Sequence, residues 1–342
     1  MLHYSWRLLL TLLILPAAAW GFLALHFQPP FSPAQSAFVQ TAWTGLSLYA
    51  LYLIWRGYWK TGLVLYLVLH AELLLWWNTI PPSNERDWAD EVAQMTTGEV
   101  SGNKVTLHNV RNFNWRSNTD YDVRWESRDY DLQRLRSVDL ITSHWGMDSV
   151  AHVLVSFGFD GGQFVTFSVE IRKEKDEEFS ELGGFFKQFE LSILATDERD
   201  AVAVRPNIRG EDTYLYRIAM PAQVRRALFL AYVDQANTLA AKPRYYNTLT
   251  VNCTTLVYTI LQQIVDGLPL DPRLWLTGYL PSYIKEQDGL IEGFALDELR
   301  QLGRINQRSQ DAHGQPDYSW QIRQGVPGWR HEYKPVPQGL PF

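Results

Sequence analysis

The chain reads as an α+β domain set behind three membrane-spanning helices, and three observations predict it. Charge is nearly absent from the first eighty positions, where only Arg7, Arg56, Lys60 and Glu72 are ionised. A β-hairpin pattern occupies residues 150–172, and an amphipathic helix pattern opens at the single cysteine, Cys253. The net charge of −6 carries no basic excess, so nothing points to a nucleic-acid partner.

Three apolar runs open the chain: Leu8 to Phe27, Ala37 to Trp55 and Thr61 to Ile80. Each approaches the ~20 residues that cross a hydrocarbon core of about 30 Å. The join Gln28-Pro29-Pro30-Phe31-Ser32-Pro33 cannot continue a helix, because proline lacks the N–H and fixes φ. Arg56-Gly57-Tyr58-Trp59-Lys60 supplies a polar turn with interfacial aromatics. Arg7, Arg56 and Lys60 place the N-terminus and the second join in the cytoplasm by the positive-inside rule, so the chain after span three lies outside an inner membrane. A cleaved signal peptide over Met1 to Ala19 is the alternative, and it leaves the later domain on the same side. His70 and Glu72 sit near the middle of span three, either as a functional pair or hydrogen-bonded inside the bundle.

The expected division is an anchor over 1–82, one extracytoplasmic domain over 83–328 and an irregular, proline-bearing tail over 329–342. Residues 83–103 read as linker and loop, and Val105 to Val110 and Tyr121 to Trp125 as short strands. The mixed-sign run Arg172 to Glu178 reads as a solvated loop. Arg111, Arg116, Arg205 and Arg209 read as surface pairs, with phosphate or carboxylate binding as the alternative.

Two elements are sharper. VAHVLVSFGF and QFVTFSVEIR flank Asp160-Gly161-Gly162, a strong hairpin turn. Val153, Val155, Phe157 and Phe159 share one face with Val165, Phe167, Val169 and Ile171. Opposite lie His152 and Ser156 on one strand and Ser168 and Glu170 on the other. A three-residue turn pairs Phe159 with Gln163, and the same register sets His152 against Glu170. In the second element Asn252 caps a helix whose apolar stripe is Leu256, Val257, Ile260, Leu261 and Ile264, with Gly267 as its stop. Cys253 therefore falls in the first turn, where the helix dipole favours a thiolate.

A thiol nucleophile needs a base within reach and a third group to orient that base. Cys253, His152 and Glu170 supply those types, and backbone N–H groups around Cys253 supply a candidate oxyanion hole. The competing reading of a lone cysteine is a buried small hydrophobe. His144, in Ser143-His144-Trp145-Gly146, is the rival base with an accessory role, and Tyr246 could line a substrate groove or simply pack. No cofactor or metal is required.

The histidine strand precedes the cysteine helix, an order that resembles the circularly permuted papain-like group with its lecithin:retinol acyltransferase relatives. Thr254 and Thr255 stand where that group commonly has acidic and histidine residues. A second resemblance runs from about Trp88 to Gly328 through HNVRNFNWRS, SVDLITSHWG, AHVLVSFGF, SVEIRKEKDEEFSELGGFFKQFEL, DERDAVAVRPNIRGEDTYLYR, YYNTLTVNCTT and GLI. These runs resemble the family defined by the periplasmic domain of Lnb, a bacterial lipoprotein N-acyltransferase. The resemblance implies a permuted papain-like fold and acyl transfer from a lipid or lipoprotein ester. It makes His152 and Cys253 base and nucleophile, with Asn252, Glu170 and Arg172 as support. Lnb places its membrane helices after the soluble domain, whereas here they come first.

Overall fold

The computed structural model describes residues 2–329, so all but the first residue of the expected tail lies outside the described residues. The chain divides into two compact units. One holds the N-terminal helices through Ser83 together with Phe179–Glu190; the other holds the remainder.

Helices α1 (Leu2–Phe27), α2 (Pro33–Trp55) and α3 (Trp59–Thr79) form the first unit, and all three are long and apolar enough to cross a membrane. Pro33 sits at the start of α2, where its missing N–H costs nothing. Small residues let these helices approach closely. A Cβ on Gly21 would meet Trp43 at 2.3 Å and Leu73 at 2.7 Å. His70 is enclosed by Trp20, Trp43 and Tyr66, stacking on Tyr66 at 5.6 Å, whereas Glu72 is exposed on the outside of α3. The two polar residues of span three therefore face different surroundings.

The second unit is α+β around one mixed sheet. Its strands are β1 (Thr97–Ser101), β2 (Lys104–Arg111), β3 (Asn114–Trp115), β4 (Tyr121–Asp122), β5 (Trp125–Asp131), β6 (Leu135–His144), β7 (Ala151–Phe159), β8 (Gln163–Arg172), β9 (Glu190–Thr196) and β10 (Asp212–Arg217). The main order is β1-β2-β9-β8-β7-β6-β10, with β5 also on β2 and β3–β4 a small separate pair. The pairs β1–β2, β2–β5, β6–β7, β7–β8 and β6–β10 are antiparallel, and β2 and β9 are parallel. The hairpin register is as the alternation requires: Phe159 faces Gln163 and Leu154 faces Ser168, across a turn in which Gly161 and Gly162 take positive φ.

Helices lie on both faces. The face carrying Val153, Val155, Phe157, Phe159, Val165 and Phe167 packs against α5 (Ala222–Ala241) and α6 (Cys253–Gln262). The opposite face, through Ile141, Leu154 and Leu215, packs on Ala201–Ala203, just at and after α4 (Glu198–Ala201), and on Ile305, Ala312, Tyr318 and Ile322. Those last residues belong to the stretch holding α8 (Leu296–Gly303), α9 (Asn306–Asp311) and α10 (Tyr318–Gln321), which follows α7 (Leu280–Glu286). Arg323, fully buried on this side, bonds Asp139, Glu198 and Ser156.

Several expectations are corrected. Residues 97–101, read as linker, form β1, which turns back on β2 through Gly102 at φ 61°. The Arg172–Glu178 run is not wholly solvated: Trp88 bridges Glu174, and Lys173 and Lys175 pair with Glu91 and Asp87. Strands β6 and β9 are buried along nearly their whole length, so they carry no alternation for a period to reveal. Helix α5 does carry a helical stripe (Leu228, Phe229, Tyr232, Val233, Ala236, Leu239), a signal present in the sequence.

Candidate active site

Helix α6 begins at Cys253 because Asn252 caps it. Asn252 Oδ1 accepts from the N–H groups of Thr254 at 2.9 Å and Thr255 at 2.8 Å. Thr255 Oγ1 accepts from the Asn252 N–H at 2.8 Å, closing a capping box. Two of the N–H groups expected to form an oxyanion hole are thus occupied by the cap. The Cys253 N–H, at the first helical position, is the donor that remains beside the sulfur.

The β7–β8 ladder stops at Leu154↔Ser168. Past its end lie the His152 ring and the Val153 N–H, both of which make the Cys253 thiol more acidic. The imidazole Nε2 lies 2.7 Å from Ser168 Oγ and 3.1 Å from Glu170 Oε1. Ser168 Oγ donates to Glu170 Oε1 at 2.6 Å. His152 is therefore held by a carboxylate, with a serine bracing both ring and carboxylate, and it acts on the nearby thiol.

The electrostatics follow from this placement. Burial raises the Cys253 thiol, but the hydrogen bond and charge of His152, with Thr254 and the Val153 N–H, bring it below its ordinary value. Burial and the Arg205 guanidinium depress His152; Glu170 and the thiol outweigh them and hold it above the usual imidazole value. Burial likewise raises Glu170, and His152, Arg205 and Ser168 together drive it well below the carboxylate range. The arrangement favours a thiolate–imidazolium pair.

Arg205 was not expected here. It lies at the start of the wide turn Arg205–Arg209, its side chain 7% exposed, with Nη2 3.8 Å from Glu170 Oε1 and Nη1 3.0 Å from Glu211 Oε2. Ser143, whose Cα pairs with that of His152, donates to Glu211 at 2.6 Å. Arg111 is also buried, gripping Asp200 through Nε at 2.9 Å and Nη2 at 3.0 Å, so surface pairing describes neither arginine. Arg116 does pair on the surface, with Asp120 and Asp122. No local pattern around Arg205 marks it; only the tertiary fold brings it to Glu170.

Cys253, His152, Ser168 and Glu170 are thus brought together, and Asn252 acts through the cap. Tyr246 is near as well: after burial, the charges of Cys253 and Glu170 are what push its phenol up. Tyr232 of α5 responds to Cys253 in the same way, and its hydroxyl has no hydrogen-bond partner among the described residues. Three residues expected as support lie elsewhere. Arg172 donates to the carbonyls of Val92 and Ala93 and stacks on Trp88 at 4.3 Å. Ser156 donates to Glu198 in the buried Arg323 cluster. His144 bonds Thr142 at 3.2 Å and meets Tyr214 edge-on, and burial lowers its basicity. A cleft of about 1020 Å³, lined in part by Arg128, Asp197, Arg199 and Trp320, contains none of the Cys253 cluster.

Residues 121–280 match the family model described as the Lnb N-terminal periplasmic domain. The matched stretch takes in His152, Ser168, Glu170, Arg205 and Cys253; the three N-terminal helices and Arg323 fall outside it. No match was found among curated proteins or among solved structures.

Proposed function

We propose that this chain, whose residues 121–280 match the Lnb N-terminal periplasmic domain and whose three N-terminal helices are long and apolar enough to cross a membrane, is a thiol acyltransferase acting on a lipid or lipoprotein acyl ester. The observation that carries this reading is the part-buried His152–Glu170 pair, Nε2 and Oε1 3.1 Å apart, beside a Cys253 whose thiol that histidine makes more acidic. In this reading the domain is circularly permuted papain-like, and the three helices are a multi-pass anchor in the inner membrane.

The chemistry runs through the thiolate. Cys253 Sγ attacks the ester carbonyl, and the Cys253 N–H supports the oxyanion. Collapse breaks the ester C–O bond, and the departing alkoxide takes its proton from the His152 imidazolium. A thioester remains on Cys253. An amine, or water, then attacks that carbonyl, its proton passes to His152, and the thiolate leaves. Glu170 holds the ring and stabilises its charged form, with Ser168 fixing both.

The test is mass spectrometry of the purified full chain after incubation with a diacylated lipopeptide or labelled phospholipid. An acyl mass on Cys253, absent in Cys253→Ser, is the expected result. Peptide cleavage without an acyl adduct would replace the reading with a thiol peptidase or amidase. No thiol reactivity at all would leave a non-enzymatic envelope scaffold.

A further inference from the structure

The segment Phe179–Glu190 runs from the β8–β9 connection to the first residue of β9 and belongs to the same compact unit as the three apolar helices. Its Phe186 ring is buried, stacked on Phe27 at 5.4 Å and 6.4 Å from Trp20. Trp20 lies about two turns, roughly 10 Å, inside the end of α1, so Phe186 reaches down into the helix bundle. Lys187 Nζ donates to the Trp77 carbonyl at 2.6 Å and sits 4.8 Å over the Trp77 ring. It thereby places a cation on the negative C-terminal end of α3. Gln28 Nε2 donates to the Lys187 carbonyl at 2.7 Å, and Glu190 accepts from the Ser83 N–H at 2.9 Å. One segment is thus pinned to the outgoing ends of both α1 and α3.

Two of the side chains it leaves uncovered are large and apolar. Phe179 is 59% and Leu182 56% exposed. Near the same end of the bundle, Phe31 in the α1–α2 join and Phe38 on α2 are exposed too. Large apolar side chains continuous with the lipid-facing surface of membrane helices cannot be left in water without cost. Glu177, Glu178 and Glu181 flank them, which fits a seat at headgroup level and not one within the hydrocarbon.

We propose that Phe179–Glu190 is an interfacial membrane segment whose Phe179 and Leu182 side chains insert among the lipids of the outer leaflet. The bilayer is the one occupant that this placement fits, because the segment is fastened to helix ends that define the interface.

Cys253 is the only cysteine, so a Cys253→Ser background permits single-site labelling of the full chain. Phe179→Cys, Leu182→Cys and, as a reference, Leu75→Cys on the exposed side of α3 would each carry an environment-sensitive dye in phosphatidylethanolamine–phosphatidylglycerol bilayers. Doxyl-labelled phosphatidylcholine should quench the dye at 179 and 182 at least half as strongly as at 75, with shallow doxyl positions the more effective. Aqueous iodide should quench these sites several-fold less than the free dye. Full iodide quenching at 179 and 182, with lipid quenching only at 75, overturns the proposal. Absence of lipid quenching at 75 as well would take the bundle out of the bilayer and overturn it equally.

Discussion

His152 Nε2 lies 3.1 Å from Glu170 Oε1, across two strands whose turn register set them opposite each other. The contact makes the histidine more basic and the carboxylate more acidic, and His152 in turn lowers the Cys253 thiol.

The first prediction concerns pH. Cys253 is held below the ordinary thiol value of about 8.5, and His152 above the ordinary imidazole value of about 6.5. Alkylation of Cys253 should therefore proceed at pH values where an ordinary thiol is protonated, and fail as pH falls through the lowered thiol value. Glu170→Gln removes the charge that raises His152, so the thiol should shift back upward. Iodoacetamide kinetics between about pH 5 and 9 should show a roughly tenfold slower rate near neutrality. An unchanged profile would remove Glu170 from the site.

Asn252→Ala should cost about 1–2 kcal/mol, since one side-chain oxygen satisfies two N–H groups at the start of α6. Thermal unfolding measures that loss. The same variant should slow Cys253 alkylation, whereas Asn252→Asp should restore the stability.

On the opposite face, Arg323 links Asp139 to Glu198 with no exposure to solvent. Arg323→Met would leave two buried carboxylates short of a partner and should cost about 3–5 kcal/mol. Proteolysis or thermal denaturation of the full chain would reveal it as release of the C-terminal helices from β6 and β10. A loss under about 1 kcal/mol would mean that apolar packing by Tyr318 and Ile322 suffices.

Asp197 should set part of the acid limit. Burial raises it, but Arg199 and Arg128 bring it down to about 2. A carboxylate depressed in the folded state contributes stability that is present above its unfolded value and lost as pH falls through the folded one. The window is therefore about pH 4 down to 2, and the contribution about 2 kcal/mol. Asp197→Asn should flatten stability across that window, as urea titration at each pH would show.

How much of this was legible in sequence depended on whether a residue's partners were local. The spans follow from run length, the cap from Asn252 beside a helical stripe, and the His152–Glu170 pairing from a turn of known length and a period of two. The same alternation put Ser156 on the His152 face, since it assigns a face but not a position along it, and the family resemblance added Arg172 as support. Ser156 lies further along β7 and reaches Glu198; Arg172 lies past the ladder and reaches Trp88.

The sequence by itself determined the three apolar helices, the hairpin register and the cysteine at a helix start, all of which arise from periodicity, turn geometry and capping within short stretches. Only the tertiary structure decided that Arg205 backs Glu170, that Asn252 occupies two of the expected oxyanion donors, and that Phe179–Glu190 packs with the helices. Those outcomes rest on contacts between segments far apart in the chain, and no local pattern of residues encodes which distant surface a buried charge or an apolar loop will meet.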